Sequence, residues 1–294
     1  MGFIAFSPNL ALDRIMQLKH DLEIGQLNRV ESLQIRPGGK AINLARVLST
    51  LGAEVLAAGF LAGLNGKKFQ KLFDAEGLKG QFHYLTGETR ECHTILGLAG
   101  HPTEINEASF EVGIDDWNKL TNSLPAGELV ISGSLPKLIE SNFKELLSEL
   151  NQKPIVDTSG KALLAAFEAG VKMVKPNQNE LRAIASGDSV SAAKSLYKKY
   201  NVPILLSLGK DGAAYIAKDS YFVKALKIDA KNPVASGDSF LAAFLWANKQ
   251  DWSIAKSLQL GVAAGMENAI CGGGGQATKE GIFRHMEFLS SEKI

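Results

Sequence analysis

The stretch "RPGGKAINLARVLSTLGAEVLAAGFLAG", residues 36–63, holds a turn, a helix and a strand in one run. A glycine pair opens it. Ile42, Ala45, Leu48 and Leu51 then recur three apart on one helical face, and Gly52 supplies a helix stop. Directly after comes "EVLAAGF" (54–60), a short apolar run of the kind that makes a strand buried on both faces. The same alternation continues outward. Further strand-like runs are "GFIAF" (2–6), "ELVISG" (128–133), "PIVDTS" (154–159), "VKMVKP" (171–176), "PILLSLG" (203–209) and "AAYIA" (213–217). Segments of helical period separate them, among them "SNFKELLSEL" (141–150), "SVSAAKSLYKKY" (189–200) and residues 253–270. Strands alternating with helices make an α/β fold, a parallel sheet covered on both faces.

Two stretches break the rhythm, residues 13–36 and 88–107, "ETRECHTILGLAGHPTEINE". Neither has helical period. The second is expected to form a hairpin with Gly100-His101-Pro102 at its turn. Together they are expected to form a small β lid on an otherwise single domain spanning residues 1–294.

Composition narrows the function classes. The 294 residues are 45% hydrophobic and carry a formal net charge of +1, so the chain can bury a large core and lacks the field that draws nucleic acid or an anionic membrane. A small-molecule partner is expected. Cys92 and Cys271 stand alone, without metal-ligand spacing or a disulfide framework, which suits a reducing, cytoplasmic setting. The start "MGFIAFSPNLALD" lacks the basic and apolar regions of a signal peptide, and Phe6 stands where a myristoylation motif needs Ser or Thr. The tract "CGGGG" (271–275) reads most simply as a flexible loop, with close backbone approach to a ligand as the alternative.

The chemistry concentrates at "NPVASGDSFLAAFL", residues 232–245. Phe240, Ala243, Phe244 and Ala247 share a helical face, so Ala235, Ser236 and Gly237 fall at a helix start, where backbone N–H groups lack intrahelical partners and attract anions. Beside them Asp238 offers a carboxylate able to take a proton. That is a layout for phosphoryl transfer to a hydroxyl: amides face the developing charge and an acid receives the proton. Taken alone, Asp238 also reads as an ordinary acid in a first helical turn. The glycine pair Gly38-Gly39 opens a second helix with Lys40 and Asn43 in its first turn, which suits a hydroxyl-rich or anionic ligand, or else only a tight turn with a solvated lysine. Neither GxGxxG nor GxxxxGK[ST] occurs.

The two segments together, in order and spacing, resemble the paired signatures of the ribokinase-like (PfkB) carbohydrate kinases, a glycine-glycine turn with an asparagine and a "GAGD"-type anion hole. Further similar segments span nearly the whole chain: "NLALD" (9–13), "KPNQNEL" (175–181) and "SLGKDGA" (207–213). "GETR" (87–90), "TEINE" (103–107) and "SGSLP" (132–136) are similar to the subgroup that phosphorylates sugars already carrying a phosphate, which includes 1-phosphofructokinases, type-B 6-phosphofructokinases and tagatose-6-phosphate kinases.

The resemblance implies a ribokinase-like three-layer α/β/α sandwich with a mostly parallel central sheet and a small β-sheet lid. It implies an ATP- and Mg2+-dependent kinase with Asp238 as catalytic base and Ala235, Ser236 and Gly237 as anion hole. Asp13, Gly39, Lys40 and Asn43 are then expected to line the sugar, and Arg90 to grip its existing phosphate with a two-pronged contact. Asn177, Glu180, Ser207, Gly209 and Gly212 are expected on the nucleotide side, Glu180 organising magnesium through its waters. The outer face of the lid is a candidate surface for a second subunit. Leu10, Ala41 and Ala235 depart from the family pattern, which has proline at the first and glycine at the other two. Ala235 keeps its N–H, at the cost of strain if the position needs positive φ. Fructose 1-phosphate, fructose 6-phosphate and tagatose 6-phosphate remain open as acceptors. So do an unphosphorylated sugar or nucleoside, with Arg90 as the discriminating residue, and a non-catalytic sensor on the same fold.

Overall fold

The computed structural model describes residues 2–98 and 102–294, so Gly100 and His101 of the expected hairpin turn lie outside the described residues. In chain order the first half contains β1 (Phe3–Ser7), β2 (Ala11–Leu18), β3 (Val30–Gly38), α1 (Lys40–Thr50), β4 (Val55–Ala62), α2 (Gly63–Ala75), β5 (Lys79–Leu85), β6 (Arg90–Leu96), β7 (Thr103–Asn106), α3 (Ile114–Ser123) and β8 (Glu128–Ser132). The second half contains α4 (Lys137–Ser141), α5 (Phe143–Ser148), β9 (Ile155–Asp157), α6 (Gly160–Glu168), β10 (Met173–Val174), α7 (Gln178–Arg182), α8 (Ser189–Tyr200), β11 (Ile204–Ser207), β12 (Ala213–Ile216), β13 (Tyr221–Val223), α9 (Ser236–Lys249), α10 (Ile254–Ile270), α11 (Lys279–Met286) and β14 (Ser291–Lys293).

Ten strands make one sheet in the order β14-β13-β12-β11-β10-β9-β8-β1-β4-β5. From β5 to β11 every pairing is parallel, and β12, β13 and β14 add antiparallel at one edge. Alternation along each strand sends side chains into two separate cores: Phe3, Ala5, Val130, Ile155 and Leu205 into one, Ile4, Phe6, Ile131, Val156 and Leu206 into the other. α1, α9 and α10 cover the first face, and α3, α5, α6 and α8 the second. The result is the three-layer α/β/α arrangement expected from the sequence.

The seven expected strands of this sheet all form. β5, β13 and β14 were not legible: β5 and β14 are edge strands of largely polar sequence, and β13 has only three residues. α1 ends where Gly52 takes φ +85 and Ala53 N–H reaches back to the Leu48 carbonyl at 2.9 Å, a glycine-terminated helix as the pattern indicated.

The interrupting stretches leave this frame and build a second sheet, in the order β3-β2-β6-β7. It stands over the carboxyl ends of the parallel strands, where open α/β sheets gather ligands. Among the described residues no helix is long and apolar enough to cross a membrane.

Candidate active site

The floor of the site is a buried carboxylate at the end of β9. Asp157 is fully buried, and its Oδ1 accepts from Lys40 Nζ at 3.1 Å and lies 3.2 Å from Lys175 Nζ, while Oδ2 accepts from the Ser132 hydroxyl at 3.2 Å. Burial alone would raise its pKa, but the two ammonium groups outweigh that and hold it below the usual carboxylate value. Lys40, expected from sequence to line the sugar or to be only a solvated turn residue, lines the cleft and is tied to the sheet through Asp157. Burial pulls its pKa down, yet Asp157, Asp238 and Glu180 prevail and hold it above the ordinary lysine value.

Above this floor begins α9. Ala235 caps it in the left-handed conformation, φ +68, the strained geometry anticipated for an alanine there. The Ser236 N–H turns back to the Pro233 carbonyl at 3.1 Å, and its hydroxyl accepts from Asn268 Nδ2 at 3.1 Å. The next N–H groups, of Gly237 and Asp238, stand in the first turn, where helix geometry provides no acceptor. Lys175 Nζ lies within 3.4 Å of where a Gly237 side chain would begin, so the helix start carries a cation beside it. Asp238 is 5% exposed and accepts from Asn43 Nδ2 at 2.9 Å. Burial pushes its pKa up to about 7, against the pull of Lys40 and the Asn43 hydrogen bond, with Asp157 adding to the rise.

The glycine run behind α9 is not a loose loop. Gly272, Gly273, Gly274 and Gly275 all have φ between +69 and +95. A methyl group at Gly275 would lie 2.6 Å from the Asn43 carbonyl, and one at Gly274 would strike the Arg36 guanidinium. Asn268, fully buried at the end of α10, binds this loop to the helix start: Oδ1 accepts from Gly275 N–H and Nδ2 donates to Val234 O, both at 2.9 Å. The tract is therefore a close-packed brace for the segment carrying Asp238.

On the second sheet, Asp13 of β2 pairs with Arg36 of β3. Gly38 leaves room for its carboxylate, since a side chain there would begin 2.0 Å from Asp13 Oδ1. Burial raises the Asp13 pKa to about 6 although Arg36, Arg46 and Arg90 oppose it. Arg90 opens β6 and donates Nη2 to the Asn9 carbonyl at 3.2 Å, with the Ser134 hydroxyl 3.5 Å away. The buried atoms Arg90 Nε, Arg36 Nε and Asn9 Oδ1 find no partner among the described residues.

At the other end, Asn177 caps α7. Its Oδ1 accepts from the N–H groups of Asn179 and Glu180, and Glu180 Oε2 accepts from Asn177 N–H at 2.8 Å. Glu180 thus has the structural role open to a first-turn acid, and its second oxygen, Oε1, faces Lys40 at 3.8 Å. Ser207 bridges to Asn177, and Leu208 N–H reaches Gly212 O at 2.9 Å to close the turn containing Gly209.

A single cleft of 1390 Å³ is lined by Asp13, Gly39, Lys40, Asn43, Arg90, Asn177, Glu180, Ser207, Gly209, Gly212, Ala235, Ser236, Gly237 and Asp238, the full set of residues singled out in the sequence. Lys175, Asn9 and Ser134 also line it and were not singled out, nor was Asp157 beneath them. Their signal was present as polar residues just past strand ends, in "KPN", "NLALD", "SGSLP" and "VDTS".

Comparison with known proteins gives concordant matches. The family model of the pfkB family carbohydrate kinases matches residues 9–280. A 1-phosphofructokinase of Haloferax volcanii is 30% identical over 269 residues, 88% of each chain, and that of Escherichia coli is 32% identical over 259 residues, 83% of each chain. Phosphofructokinase-2 of Escherichia coli, solved in complex with substrates and products, superposes with a TM-score of 0.88 at 24% identity, covering 98% of this chain and 99% of the other.

Proposed function

The chain belongs to the pfkB family of carbohydrate kinases, and from that premise we propose that it transfers the γ-phosphoryl group of ATP to a hydroxyl of a phosphorylated ketohexose, fructose 1-phosphate first among the candidates. The observation that carries this reading is one cleft in which a buried acid, poised near neutrality, stands at a helix N-terminus between two lysines and an arginine-bearing lid.

Asp238 takes the proton of the acceptor hydroxyl as its oxygen attacks the γ-phosphorus, and the bond to the ADP oxygen breaks. A base with a pKa near 7 suits this task, because about half of it is ionised at neutral pH and it is still basic enough to accept a proton. The amides of Ala235 and Gly237, Gly237 foremost, face the charge on the transferred group, assisted by Lys175, while the Ser236 N–H is taken up by the Pro233 carbonyl and drops out of the expected anion hole. Lys40 stays protonated and anchors the acceptor side to Asp157. Asp13 and Asn43 hold sugar hydroxyls. Arg90 holds the acceptor's phosphate, its Nε being a donor that the described residues leave unmatched.

Magnesium, when bound, draws charge from the nucleotide phosphates. The residues fit: Glu180 lines the cleft with Oε2 fixed by the Asn177 N–H, and its Oε1, 3.8 Å from Lys40 and beyond hydrogen-bond distance, would hold the ion through water. Both Asp157 oxygens are already engaged.

The second sheet serves as the lid, closing over the acceptor and excluding water. Ile24, Leu27, Val30, Leu33, Leu98 and Ile105 stand exposed on or beside it, a surface suited to a second copy of the chain. A coupled ADP-release assay over fructose 1-phosphate, fructose 6-phosphate, tagatose 6-phosphate, fructose and a nucleoside tests the proposal. Preference for a phosphosugar is expected, and preference for fructose or the nucleoside would overturn it.

A further inference from the structure

The guanidinium of Arg46, on α1 and outside the cleft, has five N–H groups and meets five acceptors. Nε and Nη2 donate to Glu76 Oε2 and Oε1, both at 2.7 Å, Nη2 also to Pro37 O at 2.6 Å, and Nη1 to Gly274 O and Asn43 Oδ1, both at 3.0 Å. Arginine fully committed in this way has one geometry available to it. The last contact has a chemical consequence. A side-chain amide can present either end to a neighbour, and the wrong end of Asn43 would set an oxygen against the Asp238 carboxylate. Arg46 can only donate, so it can engage only the amide oxygen. The NH2 end is left facing Asp238, where it donates at 2.9 Å.

We propose that Arg46, itself held by Glu76, is a positioning residue that fixes the orientation of Asn43 and thereby keeps a hydrogen-bond donor on the catalytic carboxylate of Asp238. The inference rests on Asp238 being the base. The groups facing Asp238 from the surrounding elements are Lys40 and Asn43 of α1, Asp157 at the end of β9 and Lys175 beyond β10. Those around Arg46 are Glu76, Arg36 and Asp13. Arg46 touches none of the cleft cations, so its route to Asp238 runs through Asn43. It also joins the strand entering the Gly38-Gly39 turn, the helix carrying Asn43 and the glycine brace at Gly274, which places these parts in one register.

The test is a mutant cycle read through the pH dependence of kcat/KM. Wild type and variants share the titrations of their substrates, so differences between them belong to the enzyme. A donor on an ionised carboxylate favours the ionised form, so Arg46→Ala should move the acid limb upward by about one pH unit and Asn43→Ala by a similar amount. In Arg46→Ala/Asn43→Ala the limb should move no further than in Asn43→Ala alone, because both remove one contact. Glu76→Gln, which keeps the shape of the network, should shift the limb in the same direction by less and serves if Arg46→Ala folds poorly. An unmoved limb in folded Arg46→Ala or Glu76→Gln, or additive shifts in the double variant, would make Arg46 merely structural and overturn the inference. Asp238→Asn with normal turnover would instead remove the base assignment on which it rests.

Discussion

Asp238 lines the cleft and Asp157 lies just beneath it, both almost completely buried, yet their pKa values move in opposite directions. The floor around Asp157 is fully matched, with two ammonium groups and a hydroxyl on its two oxygens. The acceptor side is under-matched. Asp238 has one neutral donor, the Asp13 pKa stands at about 6, and Arg90 Nε, Arg36 Nε and Asn9 Oδ1 have no partner among the described residues. Burial raises a carboxylate and pairing lowers it, so pairing decides the sign. The matched region holds the site together, and the cleft-lining residues Arg90 and Asn9 keep unmatched polar atoms, as the buried Trp117 Nε1 and Ser257 Oγ do elsewhere.

The largest effect expected from this contrast is on turnover. Asp238→Asn should lower kcat by about 10² to 10⁴ while sugar binding, followed by calorimetry, persists. The same change should raise stability above pH 7. A carboxyl whose folded pKa exceeds its unfolded value of 3.8 contributes stability that is present below that value and lost as pH rises through about 7, and an amide escapes the loss. Urea unfolding at pH 5 and pH 8 checks the sign.

Asp157→Asn should do the opposite. It leaves Lys40 and Lys175 without their counter-charge, and about 3 kcal/mol of unfolding free energy should disappear at pH 7. Equal stability in this variant would break the comparison, since the floor would then not be held by pairing.

Arg90→Ala should raise KM for a sugar phosphate about tenfold, because a charge-assisted contact with phosphate is lost, and should barely alter any activity on the matching free sugar. Equal losses on both substrates would assign Arg90 to lid support. The smallest effect belongs to Ala235→Gly, which relieves a left-handed alanine, φ +68, and should stabilise by about 1 kcal/mol in thermal or urea unfolding, with activity retained.

The layered fold was legible because its buried strands are continuous apolar runs and α1 and α8 carry clear helical period. β5 and β14 were not, since edge strands need little apolar sequence and here have little. At the site, Asp238 and the glycine pair announced themselves through local motifs. Asp157 and Lys175 gave only the weaker signal of polar residues at strand ends, because their pairing lies in a meeting of separate strands that no local pattern encodes. The "CGGGG" tract was misleading for a related reason. Glycines serve looseness and tight approach alike, and only the backbone of Asn43 lying against Gly275 shows which applies. Arg46 was likewise hidden, as one more polar residue on the helix whose apolar face was read.

The most direct test of the contrast between the two acids is a carbon-13 NMR titration of aspartate carboxyl groups, with resonances assigned by Asp238→Asn, Asp13→Asn and Asp157→Asn. The account predicts a midpoint near 7 for Asp238, and an Asp157 resonance that stays at its ionised position from pH 8 down through pH 5. A midpoint for Asp238 near 4, the ordinary value for an aspartate, would contradict it.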